Sequence, residues 1–108
     1  MKTIKLTDAT FETLVNTSTK PVLVDFGAAW CPPCRAMEPT LENLADEMQD
    51  RATIGKVDVD TNPLITAKFG VRNLPTFLLF KNGVAVERIV GAVPINLLQK
   101  KLSRLITP

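Results

Sequence analysis

Apolar positions recur along the chain with two periods, and the switches between them lay out its elements. Ile4-Lys5-Leu6 is a short edge-strand candidate. Thr7 or Asp8 then caps a first helix whose apolar stripe is Phe11, Leu14 and Val15. After a polar turn from Asn16 to Lys20, Pro21 opens the nearly continuous apolar run Val22-Leu23-Val24-Asp25-Phe26. Such a run predicts a central strand covered on both faces, with Asp25 as its odd member.

From Cys31 to about Gln49 the period becomes helical. Met37, Leu41, Leu44, Ala45 and Met48 fall at i, i+4, i+7, i+8 and i+11, one buried stripe. Pro39 lies inside that helix and should kink it, because the carbonyl of Arg35 loses its partner. Thr53 to Val59 reads as a strand. Asn62 as cap and Pro63 in the first turn start the next helix, and Gly70 stops it. Leu74 to Phe80 is a further buried strand. Asn82-Gly83 is a strong hairpin signal, answered by a return strand from Val84 to Val90, which Gly91 breaks. Pro94 starts a last helix with Ile95, Leu98, Leu102, Leu105 and Ile106 on one face.

The predicted order is β-α-β-α-β-α-β-β-α. Strand-helix-strand units in the first half imply parallel pairing with right-handed crossovers, and the hairpin adds antiparallel strands. A mixed five-stranded α/β sheet with helices on both faces is the economical arrangement. At 108 residues the whole chain, 1–108, fits one domain.

Composition removes several function classes. The net charge is +2 and the basic residues are scattered, so a nucleic-acid partner has no electrostatic footprint. No apolar run is long enough to cross a bilayer, and the first residues lack the apolar core of a secretory signal. A cytoplasmic protein is expected, without a membrane partner. There is no histidine, which excludes Cys-His nucleophilic pairs and His-ligated metals. Two cysteines are half of what a mononuclear structural zinc site needs, so no metal or cofactor is expected in a single chain. An iron–sulfur cluster shared across a dimer would have four thiolates and stays open as an alternative.

The two cysteines, Cys31 and Cys34, lie in Ala28-Ala29-Trp30-Cys31-Pro32-Pro33-Cys34-Arg35, where a strand hands over to a helix. Residues i and i+3 share a helix face, within reach of a disulfide. Cys31 at the helix start gains from unpaired N–H groups and the helix dipole, which lower a thiol below about 8.5. Cys34, one turn inside, should be more shielded. Cys31 is therefore the expected nucleophile and Cys34 the resolving thiol. Asp25 has two readings. It is a structural carboxylate held by local donors, or a buried acid whose pKa rises above about 4 and which carries protons.

Trp30-Cys31-Pro32-Pro33-Cys34, preceded by Val24-Asp25-Phe26 and followed by Met37 and Pro39, resembles the thioredoxin family. So do Lys56-Val57-Asp58-Val59-Asp60, Leu74-Pro75-Thr76-Phe77, Phe80-Lys81-Asn82-Gly83 and Val90-Gly91-Ala92. The resemblance implies a thioredoxin fold, with a five-stranded mixed sheet flanked by four helices. It implies reduction of protein disulfides and electrons from a thioredoxin reductase or similar donor; a monomer is expected. A disulfide donor or isomerase on the same fold is the alternative. It places Pro75 in a cis peptide facing the disulfide, where sequence alone favours a trans edge proline. It makes Asp25 the base for Cys34, with Lys56 its tuning neighbour; the bland reading of Lys56 is a solvated surface lysine. Trp30, Pro33, Leu74, Pro75, Gly91 and Ala92 would form an apolar docking rim around Cys31, with Pro32 in the substrate-facing loop.

The chain departs from the family at three positions. Pro32 stands where the family usually has glycine, removing a backbone N–H and stiffening the loop. Gly27 stands where a tryptophan is common, which removes a large apolar side chain beside the site. Ala29 replaces a frequent acidic residue, which should modestly favour the Cys31 thiolate.

Overall fold

The computed structural model describes residues 3–106. Its elements are β1 (Ile4–Lys5), α1 (Phe11–Asn16), β2 (Val22–Gly27), α2 (Pro32–Met48), β3 (Thr53–Asp58), α3 (Pro63–Lys68), β4 (Thr76–Lys81), β5 (Val84–Val90) and α4 (Ile95–Leu105). The five strands form one sheet in the order β1-β3-β2-β4-β5. β1 and β2 run parallel to β3, whereas β4 runs antiparallel to β2 and to β5. This is the α/β arrangement expected from the residue pattern, a mixed five-stranded sheet with four helices.

Alternation along β2 divides the interior. Val22, Val24 and Phe26 point to one face, where they pack with Phe11 and Val15 of α1, Ile65 of α3, and Phe80. Leu23 points to the other face, into a core with Met37, Leu41, Leu44 and Met48 of α2 and Leu98 and Leu102 of α4. Side chains two apart on a strand share a face, so Asp25 and Gly27 also lie on the α2 side. That periodicity, rather than any polar preference, aims Asp25 under α2.

Several local expectations are corrected. The N-cap of α1 is Thr10, not Thr7 or Asp8. Thr7 and Thr10 instead close a reciprocal turn through their hydroxyls. Leu14 is 43% exposed, so the α1 stripe is Phe11 and Val15 alone. A helix of 6 residues has room for one buried face only two side chains long. α2, by contrast, has the expected span, from residue 32 to 48 with Cys31 and Gln49 as caps and Pro39 inside it. β4 begins at Thr76 rather than Leu74, since Leu74-Pro75 forms the approach to the strand. In the β4-β5 hairpin, Asn82 (φ 53°) and Gly83 (φ 79°) are both left-handed, as a tight primed turn demands. A register shift between Leu79 and Phe80 leaves one extra residue in β5.

The start of α3 uses a residue distant in sequence. Asn62 is the N-cap, yet its side chain makes no capping bond. Its carbonyl oxygen accepts from Asp8 N at 2.9 Å and its amide donates to the Asp58 carbonyl at 3.0 Å. The Asp8 carboxylate takes over, accepting from Leu64 N at 3.2 Å and Ile65 N at 2.8 Å. A carboxylate there satisfies two orphan donors and complements the helix dipole. It also ties the β1–α1 connection to α3 across the face that the Phe11, Phe69 and Phe80 rings fill.

Replacement of this cap gives a direct measurement. Asp8→Ala should lower stability by about 1 kcal/mol, the usual worth of a helix cap. Asp8→Asn, which keeps one acceptor, should lose less. The reading is a shift of the urea midpoint at unchanged m-value; equal midpoints for Asp8→Ala and wild type would refute the cap.

Candidate active site

Cys31 is the N-cap of α2, with extended backbone (φ −93°, ψ 107°). It is joined to Cys34 by a disulfide, with the two Cα atoms 5.3 Å apart. Pro32 and Pro33 occupy the first two helical positions, where their fixed φ suits a helix start and their missing N–H groups cost no helical bond. The first backbone donor of the helix is thus Cys34 N, which donates to Cys31 Sγ at 3.3 Å. The Ala28 carbonyl accepts from Cys31 N at 3.1 Å, and the Cys31 carbonyl from Arg35 N at 3.0 Å, so the turn is fixed on both sides.

The expected contrast in shielding between the cysteines is absent in this disulfide state: Cys31 is 4% exposed and Cys34 5%. Both pack with Ala28, and Val59 and Leu74 close over the cluster. Trp30, immediately before them, is 65% exposed. Its indole N–H donates to Asp60 Oδ2 at 2.7 Å, which fixes the ring by its edge on the surface. Pro32, Pro33 and Ala92 are exposed, and Gly91 is half-buried with φ 93°. Pro75, expected on the rim, is itself buried. Its peptide bond to Leu74 is cis, and its carbonyl accepts from Gly91 N at 2.7 Å. That bond joins the Leu74-Pro75 segment to the Gly91-Ala92 segment.

Asp25 lies on the inner side of the disulfide. It is 3% exposed, and its Oδ1 has no hydrogen-bond partner. Burial raises its pKa from 3.8 to about 6; Lys56 pulls it down and Glu38 pushes it up, each by less. Lys56 is the direct register partner of Asp25 across the parallel β2–β3 pair. Its Nζ lies 3.7 Å from Glu38 Oε1. A cleft of about 300 Å³ is lined by Asp25, Gly27, Ala29, Cys34, Glu38 and Lys56 among others, so the carboxyl, one sulfur and the lysine share one solvent-facing space.

Sequence reasoning singled out Asp25, Lys56 and both cysteines but passed over Glu38 and Asp60. Glu38 follows Cys34 by four residues, a spacing that puts both on one helix face. Asp60 had no such signal, because its contact with Trp30 spans 30 residues. Among the described residues, no group of three or more His, Cys, Asp or Glu is placed to hold a metal ion.

Comparison with known proteins agrees with this geometry. The thioredoxin family model matches residues 2–104. A thioredoxin of Mycobacterium tuberculosis is 52% identical over 101 residues, covering 94% of this chain and 87% of that one. A thioredoxin of Chlorobaculum thiosulfatiphilum is 45% identical over 101 residues, covering 94% of each. A bifunctional thioredoxin reductase/thioredoxin of Mycobacterium leprae is 51% identical over 90 residues, covering 83% of this chain and 20% of that protein. With its mixed sheet, its cysteine pair at the mouth of α2 and its match from residue 2 to 104, this chain belongs to the thioredoxin family.

Proposed function

We propose that the chain reduces protein disulfides by dithiol–disulfide exchange at Cys31 and Cys34. The observation that carries this reading is the disulfide at the start of α2, with a helix N–H directed at the Cys31 sulfur. In the reduced protein the Cys31 thiolate attacks one sulfur of the substrate disulfide. A mixed disulfide forms and the first substrate thiolate leaves. Cys34 then attacks Cys31 Sγ, restoring the intramolecular disulfide and releasing the second substrate thiolate. Two electrons pass to the substrate.

Cys34 has to lose its proton before it attacks. Asp25 is the base we assign to it, acting through water in the shared cleft. A group titrating at about 6 can both accept and return a proton near neutral pH. Lys56, on the adjacent strand, holds that value below what burial alone would give. Trp30, Pro32, Pro33, Leu74, Gly91 and Ala92 would make the docking face, with Pro75 beneath it. Exposed Trp30 offers apolar area, and extended segments of substrate would add backbone contacts.

Electrons return through a thioredoxin reductase, a donor that the Mycobacterium leprae relative carries within its own name. A cytoplasmic setting suits a disulfide that must be made and broken repeatedly. No helix among the described residues is long and apolar enough to cross a membrane.

Two experiments test the assignment. With Cys34→Ser, a model protein disulfide should accumulate as a mixed disulfide on Cys31, seen by mass spectrometry of the non-reduced adduct; an adduct that fails to form would overturn Cys31 as nucleophile. Asp25→Ala should slow release of that intermediate in the otherwise intact protein by about a hundredfold near pH 7. An unchanged turnover rate would remove Asp25 from the mechanism.

The same carboxyl has a stability cost whose sign is fixed. The folded state holds the Asp25 proton more tightly than the unfolded chain does. Its contribution is therefore fully favourable below pH 3.8, is lost as pH rises to about 6, and is flat above that. Asp25→Asn should be more stable than wild type at pH 8 by about 3 kcal/mol relative to their difference at pH 3.5, as a pKa shift from 3.8 to about 6 implies. Urea unfolding of the oxidised proteins at the two pH values measures it.

A further inference from the structure

Gly27 ends β2 on the face that holds Asp25. Its backbone does not need glycine: the left-handed glycines are 70, 83 and 91. What a side chain would meet there is the other consideration. A β-carbon at position 27 would lie 3.3 Å from Cys34 Sγ, 3.4 Å from Cys34 Cβ and 3.7 Å from Asp25 Oδ1. The first distance is tighter than ordinary packing, and Cys34 has little freedom to withdraw, being buried, helical and tied to Cys31. The β2–β3 ladder and the bond from Val59 N to the Gly27 carbonyl at 3.0 Å hold the other side. A glycine within a strand marks such a close approach.

What the missing side chain leaves is an opening. Gly27 lines the cleft together with Asp25 and Cys34, and about 300 Å³ is many times the room one water needs. The charged groups around Asp25 are Lys56 and Asp58 from β3, Glu38 from α2 and Lys5 from β1, all lining the same cleft. None of them hydrogen-bonds Asp25 Oδ1, which is buried without a partner, while Asp25 as a residue reaches the cleft lining.

We infer that Gly27 is a positioning residue that keeps the gap between Asp25 and Cys34 open to the cleft, so that protons reach Cys34 from that side of the disulfide. The inference rests on Asp25 acting as the base for Cys34. A side chain at 27 would fill the gap, desolvate the carboxyl and lengthen the route between the two groups. Desolvation disfavours the carboxylate, so the Asp25 titration should move up.

The test compares wild type, Gly27→Ala, Gly27→Trp and Asp25→Asn. The Asp25 carboxyl is titrated by carbon-13 NMR in the oxidised protein, where neither thiol titrates, and mixed-disulfide resolution is followed by stopped flow from pH 5 to 9. Gly27→Ala should raise the carboxyl midpoint by about half a unit or more, carry the kinetic midpoint with it, and slow resolution severalfold below that midpoint. Gly27→Trp should do the same more strongly where it folds. Looser or tighter packing alone would move the melting temperature and leave both midpoints in place. If Asp25→Asn abolishes the pH dependence while the Gly27 variants keep the wild-type midpoint, the role of Gly27 is refuted and the base survives. If Asp25→Asn keeps the wild-type profile, the base assignment fails and takes this inference with it.

Discussion

A carboxyl buried without a hydrogen-bond partner is the constraint around which this site is built. Leaving Asp25 Oδ1 unpaired is costly, and the cost shows as a pKa raised to about 6, with Lys56 rather than a dedicated donor offsetting part of it. The period of β2 makes the burial unavoidable. Residue 25 falls on the same face as Leu23, and that face is roofed by α2. Cys34 is on α2, so the strand that carries the acid and the helix that carries the thiol are brought together by the same packing that makes the core.

The network beside it is weak as a source of stability. Lys56 and Glu38 are partly exposed and 3.7 Å apart, a pair worth a fraction of a kcal/mol in most proteins. Their effect on Asp25 is of another kind. They pull its titration in opposite directions, with Lys56 the stronger, and burial outweighs both. A surface pair of small energetic value can therefore still adjust the titration of a buried neighbour, whose range burial sets.

Much of this was legible in the residue pattern, for a physical reason. Strands covered on both faces must be apolar almost throughout, so a single aspartate within Val22 to Phe26 stands out against its surroundings. The Asn82-Gly83 turn is equally local, because left-handed φ values restrict the residues that can occupy it. Features that depend on meeting across the fold left no comparable trace. Nothing near Asp8 indicates that it caps a helix starting at residue 63, and nothing near Asp60 indicates that it pins Trp30. Leu14 kept the right spacing for a buried stripe, but α1 was too short to use it. The cleft is an intermediate case: Gly27 signalled a missing side chain beside the site, but the meeting of Asp25, Cys34, Glu38 and Lys56 around one space did not show in the sequence.

Cys34 emerges as the residue on which both halves of the chemistry converge. The two prolines remove every donor from the first two helical positions, so the nearest amide to the Cys31 sulfur is that of Cys34 itself. The nucleophile and the resolving residue are thereby coupled through a backbone hydrogen bond as well as through their sulfurs. On its other side, Cys34 faces Asp25 across a gap that a single β-carbon would narrow. On the proposed mechanism, anything that shifts Cys34 would change both the donor to the Cys31 sulfur and the distance over which Asp25 exchanges a proton. Pro32 and Gly27, two of the departures from the usual family pattern, both lie next to Cys34, one in its helix start and one across from its sulfur, so both would act on a single variable, the position of Cys34.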